Sequence, residues 1–195
     1  MTFRFARHCD VTGVDLSERM IEEARKKWKT AKLEHSVNFI QSDMRSFVSD
    51  LKYDAAVAVF DVMNYAVSRE ELASVCRRVS SVLRPGGRFI FDVNTELAFR
   101  LRLFDEEEIR PENDYVHIWR GYYDEETRLE RIEMEFCVGG HTFRETQVQR
   151  AHTEKELAEA LKEAGFERVY IFDCATMTTP TEHTDRLFVT ACKKV

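Results

Sequence analysis

Val11-Thr12-Gly13-Val14-Asp15-Leu16-Ser17-Glu18-Arg19-Met20 is the stretch on which the fold turns. Its first half is short, apolar and β-branched, which predicts a strand over residues 10–14 that ends at Asp15. Ser17 carries the short hydroxyl of a helix N-cap. Behind it Met20, Ile21, Ala24 and Trp28 recur at helical spacing, while Glu22, Glu23, Arg25, Lys26 and Lys27 take the wet face. A strand that hands over directly to a helix predicts a βαβ unit, and the following sequence supplies the rest.

Residues 37–40 read as a second strand, ending at Gln41-Ser42-Asp43-Met44. Tyr53 to Phe60 is a third, apolar on both faces as a covered parallel strand should be. Ser68-Arg69-Glu70-Glu71 has the form of a capping box, and the helix behind it lines up Leu72, Val75, Cys76, Val79, Val82 and Leu83. Arg84-Pro85-Gly86-Gly87 stops that helix and turns the chain into a fourth strand over residues 88–93. This alternation predicts a parallel sheet with right-handed crossovers.

Near Asp114 the pattern changes. Residues 115–123, 129–138 and 141–150 are long strand-like runs, the last two joined by Gly139-Gly140 as a two-residue hairpin turn. They predict an antiparallel insert over about 112–151, serving as a lid or platform. Thr153-Glu154-Lys155-Glu156 is another capping box, Gly165 ends its helix, and strands over 169–174 and 187–192 follow as an antiparallel pair. The acidic run Asp105-Glu106-Glu107-Glu108 reads as a solvated loop or helix face. The expected fold class is α/β: one domain over residues 1–195, with a Rossmann-like, mostly parallel sheet, an antiparallel last strand and an antiparallel β insert.

Composition narrows the function. With 44% hydrophobic and 33% charged residues, the 195-residue chain is globular in type. A net charge of −6 argues against nucleic acid as a partner. The longest apolar run, Ala55 to Phe60, is too short to span a bilayer, so no membrane is expected, and no secretory signal is read at Met1. Five scattered cysteines without a C-x-x-C pair suit a reducing, cytoplasmic location. No cluster of His, Cys and carboxylate has ligand spacing, so no metal is expected.

Three stretches carry a resemblance: Val11 to Met20; Phe39-Ile40-Gln41-Ser42-Asp43-Met44-Arg45; and Tyr53-Asp54 through Phe60-Asp61-Val62-Met63-Asn64-Tyr65, followed by Leu83 to Asp92. In order and spacing they resemble the class I S-adenosylmethionine-dependent methyltransferases, specifically small methyltransferase-domain proteins with an antiparallel insert. The resemblance implies S-adenosyl-L-methionine as cofactor and transfer of its methyl group to a small-molecule acceptor by in-line displacement. It places Asp15 on the cofactor ribose, Leu16 by the adenine, Asp43 on the exocyclic amine, the Met44 backbone N–H on a ring nitrogen, and Phe60 beside the methionine half. Met20 lines the adenine pocket or belongs to the core.

Each residue also has a plainer reading: Asp15 and Asp43 as helix-cap or turn aspartates, Asn64 as a turn residue, Tyr65 as half-buried packing. Asp61, Asn64 and Tyr65 are the expected acceptor-binding loop. Tyr115, His117, Trp119 and Tyr123 share one strand face, as either an aromatic wall over the substrate or a small satellite core. No residue marks itself as a general base, so the catalytic residue is unassigned. His117, His141, His152 and His183 qualify by type alone.

The chain departs from the family pattern in one respect. No glycine precedes Gly13, and the strand and glycine-rich turn expected before residue 10 are absent. Three readings account for this first strand: a late start in a longer gene product, which is preferred; a second copy or partner chain completing the sheet; or loss of cofactor binding. The alternative function is a truncated, non-catalytic methyltransferase-like protein that binds a partner or dimerises through its incomplete sheet.

Overall fold

The computed structural model describes residues 1–31, 34–110 and 115–195 and separates into two compact units, Met1–Ser49 and Asp50–Val195. The expected start of the insert, near residue 112, lies outside the described residues.

The first unit holds α1 (Thr2–Phe5), β1 (Val11–Asp15), α2 (Glu18–Thr30) and β2 (Val37–Gln41). β1 and β2 pair in parallel, with Val11 opposite Val37 and Asp15 opposite Gln41. Ser17 caps α2 as the sequence predicts, its hydroxyl accepting from the Met20 N–H at 3.3 Å. Ile21 is the buried residue of the helix, and Phe39 is buried on the sheet.

The second unit begins with β3 (Tyr53–Ala58), a 3-10 turn (Val62–Tyr65), α3 (Arg69–Val82) and β4 (Leu83–Asn94). Then come α4 (Glu96–Arg100), β5 (Glu106–Arg110), β6 (Tyr115–Asp124), β7 (Leu129–Val138) and β8 (His141–Arg150). α5 (Glu154–Glu163), β9 (Phe166–Asp173) and β10 (Arg186–Lys193) close the chain. One sheet has the order β3-β4-β10-β9, with β3 parallel to β4 and the other pairs antiparallel. Its core includes Phe89, Phe91, Val93, Leu187 and Val189, all fully or almost fully buried, as are Leu72, Val75, Leu157 and Leu161 of the helices. The second sheet is the antiparallel meander β5-β6-β7-β8.

Three expectations change. The acidic run is not a loop or helix face: Glu106–Arg110 is an edge strand paired with β6, and charge on an edge strand is a common guard against further pairing. Arg84–Gly87 does not end a turn before a separate strand. It lies inside β4, where the register jumps from Tyr53↔Leu83 to Ala55↔Arg88 and Gly86 takes φ +76. Finally, Glu71 accepts from the Val67 N–H at 2.9 Å while its own N–H bonds Ser68, so the expected box at α3 spans one residue more than predicted. The Thr153–Glu156 box closes in both directions. Gly139 and Gly140 both have positive φ, the signature of a type I′ hairpin.

Candidate functional site

In the first unit, the parallel register sets Asp15 and Asp43 just beyond the carboxyl ends of neighbouring strands, where open α/β sheets bind ligands. The Ser42 N–H donates to the Asp15 carbonyl at 3.0 Å and continues the pairing to the strand tips. Asp15 is exposed; its Oδ1 accepts from the Ser17 N–H at 2.8 Å, and the helix cap itself is Ser17. Leu16 is 65% exposed and Met20 58% exposed, so Met20 is not core. Two apolar side chains thus stand in water beside a carboxylate, forgoing roughly 1.5–3 kcal/mol each of burial. Asp43 is half-buried: Oδ1 accepts from the Arg45 N–H at 2.8 Å, and the Arg45 guanidinium bonds both oxygens. That guanidinium holds the Asp43 carboxyl below its ordinary range and keeps it charged.

In the second unit, the loop after β3 is unusual. Phe60 and Asp61 are consecutive non-glycine residues in the left-handed region, at φ 63 and 52. Asp61 is held from three strands: its N–H donates to Asp92 Oδ1 at 2.8 Å, and its carboxylate accepts from Gln149 Nε2 at 2.6 Å and from Arg186 at 3.3 Å. Burial pushes its carboxyl pKa up, against the pull of Gln149 and Arg186. Phe60 stands 63% exposed beside it.

Asn64 is a correction. It is fully buried; its Nδ2 donates to the carbonyls of Asn94 at 3.0 Å and Arg150 at 2.9 Å, and its Oδ1 accepts from the Asn94 N–H at 2.9 Å. A side chain so committed staples the loop to β4 and β8 and has nothing left for an acceptor molecule. Tyr65 is half-buried and its hydroxyl donates to Gln147 Oε1, while burial pushes the phenol pKa up. Gln147, Gln149, Arg186 and Asp92 escaped the sequence reading. The two glutamines alternate on the face of β8 that meets Ile132 and Glu130 of β7, and that polar parity was the available signal.

The aromatic face of β6 divides. His117 is the satellite-core member: it stacks on Phe136 at 5.0 Å between ring centroids, meets Trp119 edge-on at 5.0 Å, and is 9% exposed. Tyr115 and Trp119 remain half-buried. Of the other histidines, His141 and His183 are exposed. His152 is buried against Arg150, and desolvation with that neighbouring charge pushes its pKa down to about 4.

A family described as "Methyltransferase domain" matches residues 1–87. "Putative methyltransferase YqeM" of Bacillus subtilis (strain 168) is 30% identical over 189 residues, covering 94% of this chain and 75% of that protein. Among solved structures, an S-adenosylmethionine-dependent methyltransferase from Clostridium acetobutylicum ATCC 824 superposes with a TM-score of 0.82 at 22% identity, covering 95% of this chain and 76% of the other. The sugar N-methyltransferase KedS8 from Streptoalloteichus sp ATCC 53650 gives a TM-score of 0.72 at 19% identity, over 94% and 71%.

Proposed function

Because this chain belongs to the class I S-adenosylmethionine-dependent methyltransferase family, with S-adenosylmethionine as its cofactor, we propose that it methylates a small polar molecule. A sulfonium supplies an activated methyl group, so the chain's own residues have to bind, orient and exclude water. In this reading the Asp15 carboxylate accepts from the ribose hydroxyls, a charge-assisted pairing. Leu16 and Met20 cover the adenine. Asp43, kept ionised by Arg45, accepts from the exocyclic amine, and the Met44 N–H donates to a ring nitrogen. The exposure of Leu16 and Met20 beside Asp15 carries the reading, since a flat apolar ring is what would cover both.

The acceptor side rests on the second unit. Asp61 and Tyr65, with Gln147, offer a polar edge, and Tyr115 and Trp119 offer apolar surface. KedS8, a sugar N-methyltransferase of similar fold, supports an acceptor of small, polar type. The alternative of a non-catalytic partner-binding protein draws no support from these likenesses.

Calorimetric titration with S-adenosylmethionine and its demethylated product tests the cofactor half. Wild type should bind, and Asp15→Ala should lose at least about tenfold in affinity, or about 1.4 kcal/mol, without loss of fold. Equal binding by both would remove Asp15 from the site. Mass-spectrometric screening of small amines and sugars for a methyl gain tests the acceptor half.

A further inference from the structure

The edge of the antiparallel sheet brings together a donor set that neither the cofactor nor the acceptor reading uses. Glu106 and Glu108 are two residues apart on β5 and therefore project from one face. Across the strand pair, Glu108 lies opposite His117. One carboxylate oxygen from each glutamate and one imidazole nitrogen of His117 all lie within 4.8 Å of one another. His117 is nine-tenths buried, its ring is held by Phe136 and Trp119, and its Nε2 has no hydrogen-bond partner among the described residues. A buried polar atom left unpartnered costs about 1–3 kcal/mol, so such an atom calls for an explanation. Glu108 is shared with Arg110 through Oε1 alone.

We propose that Glu106, Glu108 and His117 bind a first-row divalent transition-metal ion, which clips the edge strand β5 onto β6. Two hard carboxylates with one borderline imidazole suit Mn²⁺ through Zn²⁺ better than Ca²⁺ or Mg²⁺, which prefer all-oxygen shells. Metal–ligand bonds of about 2.0–2.2 Å require neighbouring donors about 3 Å apart. Closing from 4.8 Å asks the two glutamates, which are at least partly exposed, to change rotamer while the packed imidazole stays in place. The remaining coordination positions go to water. The ion would also screen two like charges on one strand face, a juxtaposition that otherwise destabilises a sheet.

Electron paramagnetic resonance titration of the chelator-treated full chain with Mn²⁺ tests this, because Mn²⁺ has little affinity for the five thiols. Wild type should hold one Mn²⁺ per chain, and Zn²⁺ should displace it. The Glu106→Gln/Glu108→Gln double variant should bind at least tenfold more weakly, and His117→Gln should behave likewise. Glu107→Gln, which alters the opposite face where Glu107 pairs with Arg120, should bind as wild type does. Circular dichroism on each variant confirms that the fold is retained. Absence of Mn²⁺ binding by wild type overturns the proposal, as does equal binding by wild type and the folded double variant.

Discussion

Lowering the pH should destabilise the second unit through His152, and the size of the effect follows from its surroundings. The imidazole is 2% exposed, and its Nδ1 lies 2.9 Å from Arg150 NH1, which donates to it. Protonation would set a buried cation beside the guanidinium, so the folded pKa falls from the ordinary 6.5 to about 4. The unfolded chain takes up the proton as pH falls through 6.5, while the folded chain refuses it until about 4. Stability from this group is therefore full above the unfolded value and is lost on acidification. The loss is roughly 2 kcal/mol by about pH 5 and about 3 kcal/mol once both states are protonated.

Glu130 works in the opposite sense. It is 3% exposed, and burial with the Asp105 charge raises its pKa to about 7. Its stabilising effect is full below the unfolded value of 4.5 and is lost as pH rises through about 7. The two contributions oppose one another in the wild type. The comparison that isolates His152 is urea unfolding of wild type and His152→Gln at about pH 7.5 and about pH 5. The gap between the two proteins should move by roughly 2 kcal/mol in favour of the variant on acidification. A gap independent of pH would refute the buried, neutral imidazole.

Two further outcomes concern stability. Asn64→Ala should cost about 4 kcal/mol in urea unfolding, because it strands the Asn94 N–H and the carbonyls of Asn94 and Arg150. A cost under about 1 kcal/mol would show that the loop is held by other contacts. Gly121→Ala should lower the melting point with a loss of about 2 kcal/mol, since a Cβ there would stand 1.9 Å from Glu130 Oε1. Glu130→Ala in the same background should recover part of that loss if the clash is the cause.

The sequence told most where the physics was local. Ser17 and Thr153 cap their helices because a hydroxyl reaches an N–H three residues on, and that pairing is written in the chain. The hairpin at Gly139-Gly140 was legible for the same reason. β5 was not: Glu106-Glu107-Glu108 has no apolar alternation, and what makes it a strand is pairing with β6, a tertiary decision. Asp15 was legible as a strand-tip residue because strand and helix meet at it. The role of Asn64 was hidden, because its partners sit 30 and 86 residues away. A fully hydrogen-bonded core asparagine and a substrate-facing one look alike in a single sequence.

The same distinction explains how the loop after β3 is kept in its costly form. Each non-glycine residue in the left-handed region costs of order 1–3 kcal/mol, and nothing in Phe60 or Asp61 themselves offsets this. The restraints come from elsewhere: Asp92 on β4, Gln149 on β8 and Arg186 on β10 fix Asp61, while Asn64 ties the next turn to β4 and β8. These strands belong to both sheets of the unit, so the exposed ring of Phe60 is positioned by the junction between them and not by the loop alone. Substitutions at Gln149 should therefore act on Phe60 at a distance. The Phe60 ring thus stands 63% exposed on a backbone fixed by buried polar bonds and not by apolar packing of its own.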